Sequence, residues 1–197
     1  MNKVDFVEIG TSNFNTLIEN SVNESGFSIE PIQEYLDDLP DKLNVTKINC
    51  AITNERDSSS IELYYIPKSV IESNGLDPWL KGCNTIGDYH PHHIDHPHKP
   101  GVSLKEYVKI KKVPLKTVKE FLDENKIEGI KYLKIDTEGH DIPIVNGFFD
   151  SMQNLPDKIR FEYKHSKKED IDNIIQRSNS LGYSFVVEFP DIILTKK

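Results

Sequence analysis

The chain has 197 residues, 37% of them hydrophobic, and its 32 acidic and 24 basic side chains give a formal net charge of −8. Such a length buries one substantial core and predicts a single domain over residues 1–197, while an acidic balance with no basic arm gains little from counterion release and argues against a nucleic-acid partner. No apolar run approaches the ~20 residues that span a bilayer, MNKVDFVEIG lacks a signal peptide's apolar segment, and Cys50 and Cys83 suit free thiols, so the expectation is a cytoplasmic protein with no membrane partner.

Residues 4–9 (VDFVEI) are apolar and β-branched and run into the turn-forming GTSN, which predicts a buried strand and a turn. Phe14, Leu17 and Ile18 follow at helical spacing. Residues 27–30 read as a second strand, and Pro31 is expected to open a helix whose Ile32, Tyr35, Leu36 and Leu39 form one apolar stripe. A third strand is predicted over about 45–52, then a hairpin around 61–66. Residues 74–101 hold four Gly, four Pro and five His without periodicity, which predicts a structureless lid or acceptor-binding insertion. Thr117 and Glu120 form a capping-box pair ahead of a helix running to about Asn125, followed by a strand over 132–135 and a helix from near Asp141. A strand over 158–163, a helix capped by Ser166 and Glu169 and closed by Gly182, and a terminal hairpin through Pro190 and Asp191 complete the chain.

Strands alternating with helices imply an α/β, Rossmann-like, doubly wound and mostly parallel sheet, which binds ligands beyond the carboxyl ends of its strands. Gly10 permits a sharp turn and close backbone approach, and the amides of Thr11, Ser12 and Asn13 then form an anion cradle. Glu30, at the end of the second strand, is placed to accept both hydroxyls of a ribose. The pair points to an adenosine-containing ligand. With one glycine instead of G-x-G-x-x-G, a dinucleotide is disfavoured.

Five blocks, EIGTSN, IEP, NCAITNE, VPLKTVKEFL and LKIDTEGHDIPIVNG, together resemble the FkbM-like class I methyltransferases over nearly the whole chain. The resemblance implies a seven-stranded sheet with an antiparallel C-terminal hairpin, and S-adenosylmethionine held by Glu8, Gly10, Thr11, Ser12, Asn13, Glu30, Pro31 and Ala51. It also implies O-methylation of a small hydroxylated acceptor such as a sugar. Glu8 stands where that family more often has Asp, and Phe14 where its loop has a second glycine.

Asp136 and Glu138 leave the fourth strand on the cofactor side, so Asp136 is expected near the sulfonium, orienting the acceptor, with Glu138 or His140 as general base. Trp79, Asn84, Asp88 and His90 of the insertion are expected to meet the acceptor. The run His90, His92, His93, His96, His98 matches no closed zinc motif, so no metal is assigned. A noncatalytic protein using this segment for a metal or a partner is the main alternative, and a metal-dependent hydrolase is a third. The oligomeric state is left open.

Overall fold

A computed structural model describes residues 3–11 and 16–197. In chain order the elements are β1 (Lys3–Ile9), α1 (Leu17–Asn20), β2 (Gly26–Ile29), α2 (Gln33–Asp38), β3 (Val45–Ile48), β4 (Ala51–Thr53), β5 (Ser60–Tyr65) and α3 (Lys68–Ser73). A 3-10 turn (Pro78–Gly82), β6 (Thr85–Ile86) and α4 (Pro91–Ile94) follow, then β7 (Lys109–Thr117), α5 (Val118–Asn125), β8 (Gly129–Ile135) and α6 (Asp141–Ser151). The last are β9 (Lys158–Glu162), α7 (Lys168–Ser180), β10 (Tyr183–Glu188) and β11 (Asp191–Lys196).

Among the described residues the main sheet has seven strands in the order β10-β11-β9-β8-β1-β2-β3. All neighbours are parallel except β11, which runs antiparallel to both β9 and β10. The central β1 is covered on both faces, which is why it reads as a nearly continuous apolar run. On one face Val7, Ile9 and Leu133 pack with Phe121 of α5 and Phe148 of α6. On the other, Phe6 packs with Ile18 of α1 and with Leu36 and Leu39 of α2. Truncating a ring as enclosed as Phe121 or Phe148, each 0% exposed, costs about 3–5 kcal/mol.

The turn into α5 forms as its sequence predicts. Thr117 Oγ1 accepts from Glu120 N at 3.1 Å, and Glu120 Oε2 accepts from Thr117 N at 2.8 Å. A cap of this kind contributes ~1 kcal/mol.

Several expectations are corrected. The predicted third strand breaks after Ile48, because the Asn49 side chain turns to donate to Glu30 O at 2.8 Å and residues 51–53 leave for a second sheet of order β4-β7-β5-β6. The hairpin expected around 61–66 is a single strand, β5, and its main partner is β7, a strand that the alternation did not announce. This smaller sheet packs Leu63, Val113 and Leu115 on Ile32 and Tyr35, so α2 lies between two sheets. That helix begins at Gln33 rather than at Pro31, and α7 begins at Lys168, with no side-chain cap from Ser166, whose amide is spent on Tyr163 O at 2.9 Å.

Residues 74–101 are not structureless. Leu80 and Cys83 join Ile66, Ile71 and Leu104 in a small apolar cluster. The imidazoles also do the work of caps: His90 Nδ1 accepts from His92 N at 3.0 Å and His96 Nδ1 from His98 N at 3.2 Å. At the far edge of the main sheet, β10 leaves Phe185, Val186 and Val187 exposed.

Candidate active site

The strand order reverses between β1 and β8, and the crevice beyond their carboxyl ends is where an open α/β sheet takes its ligands. The ladder continues one residue past each strand, with Gly10 N donating to Ile29 O and Asp136 N to Ile9 O, both at 2.9 Å. Gly10 has φ +77, and a Cβ there would lie 1.9 Å from the Asp136 carbonyl oxygen, so only glycine lets β1 turn away against the end of β8. Glu30 fastens the resulting loop. Its Oε2 accepts from Thr11 N at 3.0 Å and its Oε1 from Ile32 N at 2.9 Å, tying the start of the first turn to the start of α2.

Two adjoining cavities open here. The first, with an empty volume of about 500 Å³, is walled by Gly10, Glu30, Pro31, Ala51, Asn84 and His140. The second, of about 650 Å³, is walled by Thr11, Trp79, Cys83, His92 and Lys164. Gly10, Gly82, Asp136 and Glu138 line both.

The turn between the cavities is strained: Glu138 has φ +54 and is followed by Gly139 at +110. Asp141, fully buried, holds the turn by accepting from Thr137 Oγ1 at 2.9 Å and Gly139 N at 3.2 Å. Burial, and then the nearby Asp136 charge, push the Asp141 carboxyl up to about 7. Glu138 Oε2 receives His90 Nε2 at 3.1 Å and has His165 Nε2 at 3.2 Å. Burial would raise its pKa, but these two histidines outweigh burial and bring it down to about 2. Asp136 opens onto the cavities yet sits deep between their walls; burial first and the Glu138 charge second raise its carboxyl to about 6.

The structure gathers Gly10, Thr11, Glu30, Pro31, Ala51, Trp79, Asn84, Asp136, Glu138 and His140 of the expected residues around the cavities. Three others are placed differently. Glu8 lines neither cavity: fully buried, it accepts from Leu17 N and Lys134 Nζ, both at 2.9 Å, and thus acts by fixing the end of the loop. His90 is also enclosed and reaches the site through Glu138, while Asp88 is exposed and accepts from its neighbour Tyr89 N at 2.7 Å. Ser12 and Asn13, expected in the cradle, lie outside the described residues. His140, expected as a base, donates to or accepts from Thr53 Oγ1 at 2.9 Å on the first cavity alone, and burial lowers its pKa.

Residues that sequence reasoning missed are Glu162, His165 and Lys164, while His92, weighed there only as part of the His run, lines the second cavity. Glu162 ends β9, so the strand-end rule that singled out Asp136 applies to it equally.

The family model described as "Methyltransferase FkbM domain" matches residues 8–185. The chain belongs to the FkbM methyltransferase family. The matched span takes in the Gly10 turn, the insertion, the 136–140 turn and β9, so both cavities lie within the methyltransferase domain. No curated protein and no solved structure matches the chain. Among the described residues no helix is long and apolar enough to cross a membrane.

Proposed function

We propose that the protein is an S-adenosylmethionine-dependent methyltransferase that methylates a hydroxyl oxygen of a small acceptor. The observation that carries this reading is the pair of cavities sharing Gly10, Asp136 and Glu138, which supplies two adjoining compartments with one polar wall between them.

The first cavity fits the cofactor. A cradle that a single Cβ at position 10 would fill brings backbone close to the methionine end, and the Glu30 carboxylate at the end of β2 suits ribose hydroxyls. Pro31, Ala51, Ile52 and Leu63 give an apolar wall for a base. When bound, the cofactor supplies an electron-poor methyl carbon on its sulfonium.

The second cavity fits the acceptor. Trp79 presents a flat apolar face, held by ring contacts to His92, His96 and His98 at 5.6, 5.7 and 5.9 Å, and Lys164 adds a polar rim. Asp136, on the shared wall, orients the acceptor hydroxyl and accepts its proton as the oxygen attacks. Glu138, pinned by its two histidines, holds the wall in place. Residues 74–101 thus serve as the acceptor-binding part of a single domain.

Calorimetry with S-adenosylhomocysteine tests the cofactor half, with one site per chain expected; a methyl-transfer assay over a panel of hydroxylated acceptors tests the other half. Absence of S-adenosylhomocysteine binding would overturn the reading, and binding without transfer to any acceptor would leave a noncatalytic cofactor protein.

A further inference from the structure

The carboxyl ends of β8 and β9 carry more acid than methyl transfer requires. One carboxylate oxygen from each of Asp136, Glu138 and Glu162 lies within 4.8 Å of the others. Three carboxylates at such a spacing repel one another, and most proteins separate them or neutralise them. Glu162 is 8% exposed, and its Oε2 is enclosed with no hydrogen-bond partner among the described residues. An enclosed carboxylate oxygen without a donor is costly, so it calls for a partner of positive charge.

Two histidines also approach, and His90, Glu138 and His165 form an overlapping group with ligand-like spacing. The tautomer decides their role. His90 Nδ1 accepts the His92 amide proton at 3.0 Å, so in the neutral ring the proton sits on Nε2 and is donated to Glu138 Oε2 at 3.1 Å. A ligating nitrogen needs its lone pair free. His90 therefore supports Glu138 from behind, as a donor to a ligating carboxylate does, and is not itself a ligand. The three carboxylates form an all-oxygen donor set, which favours magnesium, manganese or calcium over zinc.

We propose that Asp136, Glu138 and Glu162 bind one hard divalent cation of the magnesium or manganese class, beyond the carboxyl ends of β8 and β9. The ion satisfies the enclosed Glu162 oxygen and relieves the mutual repulsion of the three acids. Asp136 and Glu138 also line the second cavity, so an acceptor there that carries neighbouring oxygens can complete the shell. Cation binding stands on the cluster alone; the contact with the acceptor rests on the methyltransferase reading above.

The test uses the full chain stripped with EDTA and titrated with Mn²⁺, with free ion read by electron paramagnetic resonance. One Mn²⁺ per chain is expected, with a dissociation constant of about 1 mM or tighter, and Mg²⁺ should displace it. Glu162→Gln and Glu138→Gln should each abolish saturable binding, whereas His90→Ala should keep the stoichiometry and weaken it by roughly 10- to 100-fold. Cooperative thermal unfolding and a parent-like circular dichroism spectrum certify that each variant is folded; where Glu162→Gln does not pass, Glu138→Gln decides.

No saturable Mn²⁺ binding by the parent, or binding unchanged in a folded Glu138→Gln or Glu162→Gln chain, would overturn the site. Mn²⁺ binding without S-adenosylhomocysteine binding would keep the cation site and sink the methyltransferase reading, so the two failures are distinguishable.

Discussion

Gly10 and Asp136 meet backbone to backbone: the glycine turns with φ +77 directly beneath the Asp136 carbonyl, leaving no room for a side-chain carbon. The loop after β1 and the turn after β8, which together line both cavities, are therefore fixed by one contact. Replacing Gly10 tests both. Gly10→Ala should lose about 1–3 kcal/mol from the left-handed backbone alone, with the overlap adding to that, and should abolish S-adenosylhomocysteine binding. Urea unfolding followed by calorimetry of the folded fraction measures the two effects.

Asp136→Asn keeps the shape of the shared wall and removes the carboxylate proposed above as proton acceptor. Turnover should fall by ~100-fold or more while S-adenosylhomocysteine affinity stays within a few-fold. A methyl-transfer assay under saturating acceptor provides the measurement, and unchanged turnover would remove Asp136 from the chemistry.

Trp79 lines the second cavity, proposed above for the acceptor, and not the first. Trp79→Ala should raise the KM for the acceptor roughly tenfold, the equivalent of about 1.4 kcal/mol, and leave S-adenosylhomocysteine binding unchanged. An equal loss of cofactor affinity would show that the two cavities are not separate compartments.

The protein should weaken on the alkaline side. Burial pushes the Cys50 thiol from its ordinary value near 9 up to about 11, and burial likewise raises Cys83, Tyr35 and Tyr183. The folded state thus holds these protons more tightly than the unfolded chain. The stability they contribute is complete below pH ~9 and is lost as pH climbs from ~9 through ~11. Melting temperatures measured from pH 8 to 11 should fall in that window, and Cys50→Ala should make the decline shallower. A flat profile would contradict the burial of these groups.

How much of this was legible in the sequence depends on whether the deciding interaction is local. Gly10 with Glu30, and the Thr117 and Glu120 cap, announce themselves because a turn or a cap needs particular residue types at short fixed spacing. The KIDTEG block marks the end of β8 for the same reason. What stayed hidden is tertiary. Nothing in the residues around Asn49 says that its side chain will take a carbonyl at the end of β2 and release the following strand to another sheet. The strand-end rule reaches Glu162, but His165 becomes a site residue only because β9 lies beside β8. The His run misleads in the opposite sense: in print it suggests metal ligands, whereas in space its ring nitrogens accept backbone amides and build a fold for an otherwise irregular segment.

The pairing of Glu8 with Lys134 spans 126 residues of chain, and the whole β1–β8 junction shares that separation. A ligand-competent molecule consequently cannot arise while only the amino-terminal half has acquired its shape, since loops of that size are slow to close. During refolding, recovery of S-adenosylhomocysteine affinity should trail the return of helical signal, making the ligand itself a reporter of the last step.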